Sequence, residues 1–253
     1  MVKKVVKTEE EMGNYVADII EKELQEKNKK GEKFYLGLAT GSTPIPVYKE
    51  LVKRFEEGKI DFFNTVSYNL DEYLGLDENH EQSYHKFMHE NLLDKINIRK
   101  DQINILNGMA ENPQKECEEF DQKINKTGID IQILGIGENG HIAFNEPSEN
   151  LKLDTHITTL TESTIKANSR FFEKEEEVPT KALTMGMKRI FDAKKVILIA
   201  TGKNKARAIS TIIKGNEITT KIPASILLLH RDITFVFDEE CFNEAKKILE
   251  ENK

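Results

Sequence analysis

The run Gly135-Ile136-Gly137-Glu138-Asn139-Gly140-His141-Ile142-Ala143-Phe144-Asn145-Glu146-Pro147 puts an imidazole and a carboxylate into one glycine-rich turn. An imidazole titrates near neutrality and so can both take and give a proton. The apolar segment Ile129-Asp130-Ile131-Gln132-Ile133-Leu134 just before it reads as a buried strand, so the turn falls at a strand's carboxyl end, where α/β folds place their ligands. The glycines let the backbone approach a ligand and take left-handed conformations. The plainer alternative is a connection whose His141 is only hydrogen-bonded.

A second segment suits an anion. Leu36-Gly37-Leu38-Ala39-Thr40-Gly41-Ser42-Thr43-Pro44 reads as a strand ending in hydroxyls, with Thr43 expected as N-cap and Pro44 as first residue of a helix. Free N–H groups and the positive end of a helix dipole would then meet a phosphate at Thr40, Gly41, Ser42 and Thr43. No Gly-Lys-Ser/Thr follows, so a nucleoside triphosphate is not indicated. The hydroxyls could equally serve the helix alone. A third strand, Thr65 to Leu70, runs into Asp71, whose carboxylate would face the same crevice as a candidate base, or else cap the next loop. Glu72, one residue on, would point the other way and is read as structural. Arg170 and Lys205 offer the permanent positive charge an acidic chain needs to hold a phosphate dianion, although each alone also fits a surface charge. His85 and His89 stand four apart on an expected helix, without a third ligand at a usable spacing, and read as a polar face; no metal is expected.

These groups need a scaffold. Short apolar runs near 3–7, 33–40, 65–70, 103–107, 129–136, 195–201 and 232–237 alternate with helical periodicity over 9–25, 44–57, 83–94, 112–125, 182–192, 204–214 and 239–251. Thr8 is the expected cap of the first helix. The alternation predicts one three-layer α/β domain over 1–253, Rossmann-like, with a largely parallel central sheet and helices on both faces. Residues 148–180 break the pattern. They are mostly polar, with Arg170-Phe171-Phe172 followed by Glu173-Lys174-Glu175-Glu176-Glu177, and are expected to form a solvated, inserted lid over the site.

Composition narrows the partners. With 253 residues, 38% of them hydrophobic, the chain can bury a sizeable core, and a formal charge of -7 argues against a general nucleic-acid binder. No segment reaches the roughly 20 apolar residues of a membrane span, and the start of the chain lacks a signal peptide's hydrophobic stretch. Cys117 and Cys241 lie far apart and read as reduced thiols, so the cytoplasm is expected.

Taken together, the segments Leu36–Tyr48, Asn69–Leu76, Ser83-Tyr84-His85-Lys86-Phe87-Met88, Gly135–Pro147, Ala167-Asn168-Ser169-Arg170-Phe171-Phe172 and Ala182-Leu183-Thr184 resemble the glucosamine-6-phosphate deaminase (isomerase) family. The order of the motifs and the intact Gly-His-Ile-Ala-Phe-Asn-Glu-Pro run make the resemblance specific. It implies conversion of glucosamine 6-phosphate and water to fructose 6-phosphate and ammonia, without a cofactor, by a monomer or homo-oligomer. It further implies that Asp71 moves a proton from C2 to C1, that His141 handles the ring-opening proton with Glu146 orienting it, and that the Thr40–Thr43 turn, Arg170 and Lys205 hold the phosphate. Many members carry Asp where this chain has Asn139, so an amide replaces a carboxylate and Glu146 is expected to carry more of the pairing with His141. Some members respond to N-acetylglucosamine 6-phosphate through basic residues after the catalytic loop; here Glu149 to Thr158 is poor in cations, and no such activation is expected. A 6-phosphogluconolactonase-like hydrolase and a non-catalytic sugar-phosphate sensor are the alternatives. The first would lack Phe144-Asn145-Glu146-Pro147, the second Asp71 or His141.

Overall fold

A computed structural model of the chain describes residues 1–169, 172, 174 and 177–251. Its strands are β1 (Val2–Val6), β2 (Phe34–Leu38), β3 (Thr65–Asn69), β4 (Asp71–Tyr73), β5 (Ile103–Asn104), β6 (Ile131–Leu134), β7 (His156–Thr159), β8 (Lys181–Thr184), β9 (Lys195–Ala200) and β10 (Ile233–Asp238). Its helices are α1 (Glu9–Lys29), α2 (Ile45–Glu56), α3 (Tyr84–Asn91), α4 (Pro113–Thr127), α5 (Glu162–Asn168), α6 (Met187–Phe191), α7 (Ala206–Lys214) and α8 (Glu239–Glu251).

Seven strands form one sheet in the order β1-β10-β9-β6-β2-β3-β5, with every pairing parallel. A strand buried on both faces must be apolar in both phases of its alternation. In β9, Ile197 and Ile199 pack with Met12, Val16, Ile20 and Leu24 of α1 and Val47, Tyr48 and Leu51 of α2, while Val196 and Leu198 pack with Phe120 and Ile124 of α4, Ile190 of α6 and Ile209 and Ile212 of α7. The result is the expected three-layer, Rossmann-like arrangement. From β2 the chain steps outward to β3 and β5, then returns to β6 on the other side of β2 and proceeds to β9 and β10. The reversal opens a crevice above the carboxyl ends of β2 and β6.

A second, three-stranded antiparallel sheet, β4-β8-β7, was not anticipated. Its register pairs Asp71 with Thr184, Glu72 with Leu183 and Tyr73 with Ala182. The expected helix over 182–192 is therefore wrong in its first half: 181–184 is strand, and the helix spans only Met187–Phe191. Ala182 and Leu183 are apolar enough for either element, and the free edges of β4 and β7 decide the matter. Gly186 closes the turn, because a Cβ there would stand 2.2 Å from the carbonyl oxygen of Asp154. A buried cluster ties β7 to the main body: Asp121 of α4 accepts from the backbone N of Thr155 at 3.0 Å and pairs with Arg189 of α6 at 3.1 Å.

Helix starts follow the sequence unevenly. Thr8 caps α1 as expected, its hydroxyl accepting from Glu11 N at 3.0 Å. Thr43 does not cap α2: the cap position is Pro44, without a side-chain bond, and Thr43 Oγ1 instead lies 3.4 Å from Thr201 Oγ1. The chain already turns over Ser42–Ile45, where Ile45 N donates to Ser42 O at 3.2 Å, and the threonine hydroxyl is left to the crevice.

Candidate active site

A cleft of about 450 Å³ opens at the switch point, and its lining includes Thr40, Gly41, Ser42, Thr43, Asp71, His141 and Lys205. Glu146 and Asn139 stand behind His141 rather than on the wall. Arg170 lies outside the described residues, as does part of the 173–177 charge run.

The hydroxyl turn is anchored from below. Buried Tyr48 of α2 donates to the carbonyl of Ala39, and Ala39 N donates back to the Tyr48 hydroxyl at 3.1 Å. Across the crevice, β9 ends in Thr201 and Gly202, whose N donates to Asp238 at 2.9 Å. This holds the Lys203–Lys205 turn at the entrance to α7, and Lys205 and Thr201 face the Thr40–Thr43 turn across the cleft. Two helix starts, a lysine and several hydroxyls thus surround one corner, an environment suited to a dianion.

Asp71 reaches the cleft from β4. Alternation sends its neighbour Glu72 the opposite way, where it accepts from Tyr73 N at 2.8 Å, Tyr84 N at 3.0 Å and His85 N at 2.9 Å. A carboxylate on the first amides of α3 complements the helix dipole, so Glu72 is structural, as expected, and fixes the helix that carries Tyr84 and Phe87 to the cleft. His85 stands 3.4 Å from Glu72 and His89 2.7 Å from Asp94, so both imidazoles are spent on local carboxylates. Among the described residues no cluster of three metal-ligating side chains occurs. Burial pushes the Asp71 carboxyl well above the usual aspartate range, and the charge of Glu72 adds to the effect.

The His141 turn is built on close contacts. A Cβ on Gly137 would fall 2.2 Å from the His141 ring, so only glycine leaves room for the imidazole. Gly137 N donates to His141 O at 2.9 Å, and Ala143 takes the left-handed φ of 51° that turns the chain toward Glu146. The small sheet braces this bend: Phe144 N donates to Thr184 Oγ1 at 3.0 Å, and the Asn145 amide donates to Met185 O at 2.9 Å. His141 Nδ1 then lies 3.3 Å from Glu146 Oε2.

Asn139 does not touch the imidazole. Its Oδ1 accepts from His141 backbone N at 3.1 Å and its Nδ2 donates to Glu146 Oε2 at 2.7 Å. Thr164 of α5 donates to Glu146 Oε1. Burial alone would raise the Glu146 carboxyl, but His141, by hydrogen bonding and charge, and the donors Thr164 and Asn139 hold it down at about 2. Glu146 is therefore a fixed anion beside the imidazole.

A profile of the family described as glucosamine-6-phosphate isomerases/6-phosphogluconolactonase matches residues 7–236. The chain belongs to this family. A glucosamine-6-phosphate deaminase of Thermoanaerobacter sp. (strain X514) is 52% identical over 232 residues, which cover 91% of this chain and 90% of the relative. One from Clostridium perfringens (strain 13 / Type A) is 48% identical over 237 residues, covering 93% and 96%. A solved structure, described as that of a monomeric glucosamine-6-phosphate deaminase, superposes with a TM-score of 0.92 at 39% identity, covering 96% of this chain and 100% of its own.

In this family member, Tyr73, Tyr84, Phe144, Thr164 and Asn168 also line the cleft, and residue-by-residue reading gave none of them a role. The ring centroids of Tyr73 and Phe144 lie 5.7 Å apart and those of Tyr84 and Phe144 6.0 Å apart, forming an apolar wall beside Asp71. Burial raises the Tyr73 phenol to about 12, and it accepts from Asn168 Nδ2 at 2.7 Å. Tyr73, two positions from Asp71, and Tyr84, thirteen from it, carry no periodic signal of their own; Tyr73, Tyr84, Phe144 and Asn168 lie inside the quoted motifs without a role of their own, and Thr164 lies outside them.

Proposed function

We infer that this chain is a glucosamine-6-phosphate deaminase, converting glucosamine 6-phosphate and water to fructose 6-phosphate and ammonia. The observation that carries the reading is the convergence of Asp71, His141 and the Thr40–Thr43/Lys205 corner on one cleft, in a chain about half identical to deaminases over most of its length. The substrate's phosphate sits at the hydroxyl corner, with Lys205 and Arg170 as its cations. His141 moves the proton that opens the pyranose ring, and Glu146 stabilises the imidazolium formed in passing. Asp71 removes the C2 proton of the open aldehyde, giving an enolamine, and returns it to C1. Water then adds at C2 of the resulting imine and ammonia leaves, which balances the reaction. Burial suits Asp71 to this work, since a desolvated carboxylate is a stronger base than a solvated one. Binding energy from the phosphate holds C1 and C2 against Asp71.

The reaction calls for no cofactor, and the small sugar phosphate is the partner the cleft accommodates. The chain acts as a monomer or a homo-oligomer; a solved structure similar to it is described as that of a monomeric deaminase. No described helix is long and apolar enough to cross a membrane. The whole chain acts as one domain, and within 148–180 the cover over the site includes α5, from which Thr164 and Asn168 enter the cleft. A coupled assay for ammonia and fructose 6-phosphate tests the reading. Equal rates of both products from glucosamine 6-phosphate support it, while hydrolysis of 6-phosphogluconolactone without ammonia release would replace it with the lactonase.

A further inference from the structure

We propose that Thr164 is a positioning residue for the proton-handling pair: its hydroxyl, bonded to Glu146, sets how strongly that carboxylate pairs with His141. The proposal rests on the deaminase reading for its purpose, but its geometry stands alone.

Glu146 has two oxygens and three neighbours. Oε2 takes the Asn139 amide at 2.7 Å and stands 3.3 Å from His141 Nδ1, while Oε1 takes the Thr164 hydroxyl. A hydroxyl has one proton to give. That of Thr164 goes to Glu146, and the Thr161 hydroxyl, the N-cap of α5, lies 3.1 Å from Thr164 Oγ1. Thr164 is itself 4% exposed, so the bond forms away from bulk water, where one donor changes the charge density of a carboxylate most.

The consequence has a definite sign. A carboxylate that already receives two neutral donors has less negative charge left for an imidazolium. With Thr164 in place Glu146 stabilises a cationic imidazole less than the same carboxylate would without that donor. Removing the donor leaves Glu146 more basic and the imidazolium better paired, so the His141 pKa rises. Asn139 acts in the same direction. An aspartate there would instead bring a second carboxylate to within hydrogen-bond distance of Glu146.

The location adds a reason for the device. Thr164 and Asn168 lie on one face of α5, and Asn168 grips the Tyr73 hydroxyl, two residues along β4 from Asp71. One short helix therefore touches the supports of both groups assigned to proton transfer, through Glu146 for His141 and through Tyr73 for Asp71. Ile165 packs with the Tyr73, Phe144 and Leu160 cluster and seats the helix between them. The other titratable groups on the cleft wall are Asp71, Tyr73, Glu81, Tyr84, Glu90 and Lys205, with Glu138 bound to Asn204 at 2.6 Å beside it. Glu146 Oε1 accepts from the Thr164 hydroxyl, so a change at Thr164 reads out through Glu146.

The test compares wild type, Thr164→Val and Thr164→Ser in the substrate-free protein, following the His141 ring by NMR titration. Valine keeps the shape and removes the donor; serine keeps the donor. Valine is expected to raise the His141 pKa by up to about one unit, because a hydrogen bond to a charged group amounts to about one to two units at Glu146 and only part of that is passed on to the imidazole. Serine is expected to restore the wild-type value. In the kinetic counterpart, the acid limb of kcat/KM against pH moves upward by the same amount in the valine variant, with KM for glucosamine 6-phosphate at the pH optimum changed less than twofold. An unmoved titration in Thr164→Val, or a serine variant that behaves like valine, overturns the proposal. Because the titration needs no substrate, loss of the deaminase reading would be seen separately, as absent turnover in the wild type.

Discussion

Thr40–Thr43 and Lys205 stand on loops that leave β2 and β9 and enter α2 and α7, whereas Asp71 stands on β4, in the small antiparallel sheet, and His141 on a loop braced by β8. The anion corner uses what every parallel α/β sheet has at its switch point: helix starts, free amides and room for glycine. The proton-transfer side needs carboxylates and an imidazole held in fixed orientation at low solvent exposure, and three strands distant in sequence supply that. Recognition of the phosphate tolerates small shifts, since charge acts over several ångströms. Proton transfer at carbon does not, because it requires contact near 3 Å.

Substitutions can break either side separately. The largest effect is expected for Asp71→Asn, which should abolish exchange of the C2 hydrogen with solvent and lower kcat by about a hundredfold to ten-thousandfold, with a small change in KM. Normal C2 exchange in that variant would remove Asp71 as the base. The same substitution is expected to stabilise the fold. Burial raises the Asp71 pKa above its ordinary 3.8, so the favourable effect of its proton is complete below that pH and is lost as pH rises through the folded value. An amide escapes this loss. The Tm of Asp71→Asn should therefore exceed that of the wild type near neutrality, with the difference shrinking as pH falls toward 3.8.

Lys205→Ala strikes the other side and should raise KM about tenfold to a hundredfold while kcat changes less. An unchanged KM for the phosphorylated sugar would take Lys205 out of the phosphate corner. Gly186→Ala sharpens the role of the small sheet, because its Cβ would meet the Asp154 and Leu153 carbonyls at 2.2 and 2.3 Å. It should lower Tm by several degrees and reduce kcat more than it raises KM, since the same turn supports the Asn145 and Phe144 contacts. A smaller effect concerns Glu146. Its carboxyl is held at about 2 against an ordinary 4.5, so the stability it contributes is complete above 4.5 and disappears as pH falls toward 2. Urea unfolding between about pH 5 and pH 3 should weaken more steeply in wild type than in Glu146→Gln. The smallest change is expected from N-acetylglucosamine 6-phosphate, which should leave the rate of a half-saturated assay unaltered.

Much of this was legible along the chain. The strand runs, the α1 cap at Thr8, the outward turn of Glu72 and the candidates Thr40, Asp71, His141 and Lys205 could all be named from local pattern, because each depends on a strand's period, a cap's hydroxyl or a turn's glycine. Thr43 failed as a helix cap because the chain already turns over Ser42–Ile45 and the Thr43 hydroxyl lies against Thr201 instead. The small sheet failed for a non-local one. Asp71–Tyr73, His156–Thr159 and Lys181–Thr184 are three or four residues each, too short to display a period, and the last satisfies its backbone hydrogen bonds only by lying between the other two. Asn139 shows the same divide: its amide was visible as a departure from the family, but its choice of Glu146 over the imidazole depended on where the loop turned.

Residue order alone therefore settled the strands of the central sheet and most of its covering helices, the parallel topology class and the chemical groups available, since these follow from periodicity and side-chain chemistry within a few neighbouring residues. Which groups meet was decided in three dimensions. The strand reversal beside β2, the antiparallel pairing of three remote segments and the Thr164 bond to Glu146 all join residues separated by long stretches of chain, and no local pattern encodes a contact whose energy appears only once both partners have been brought together.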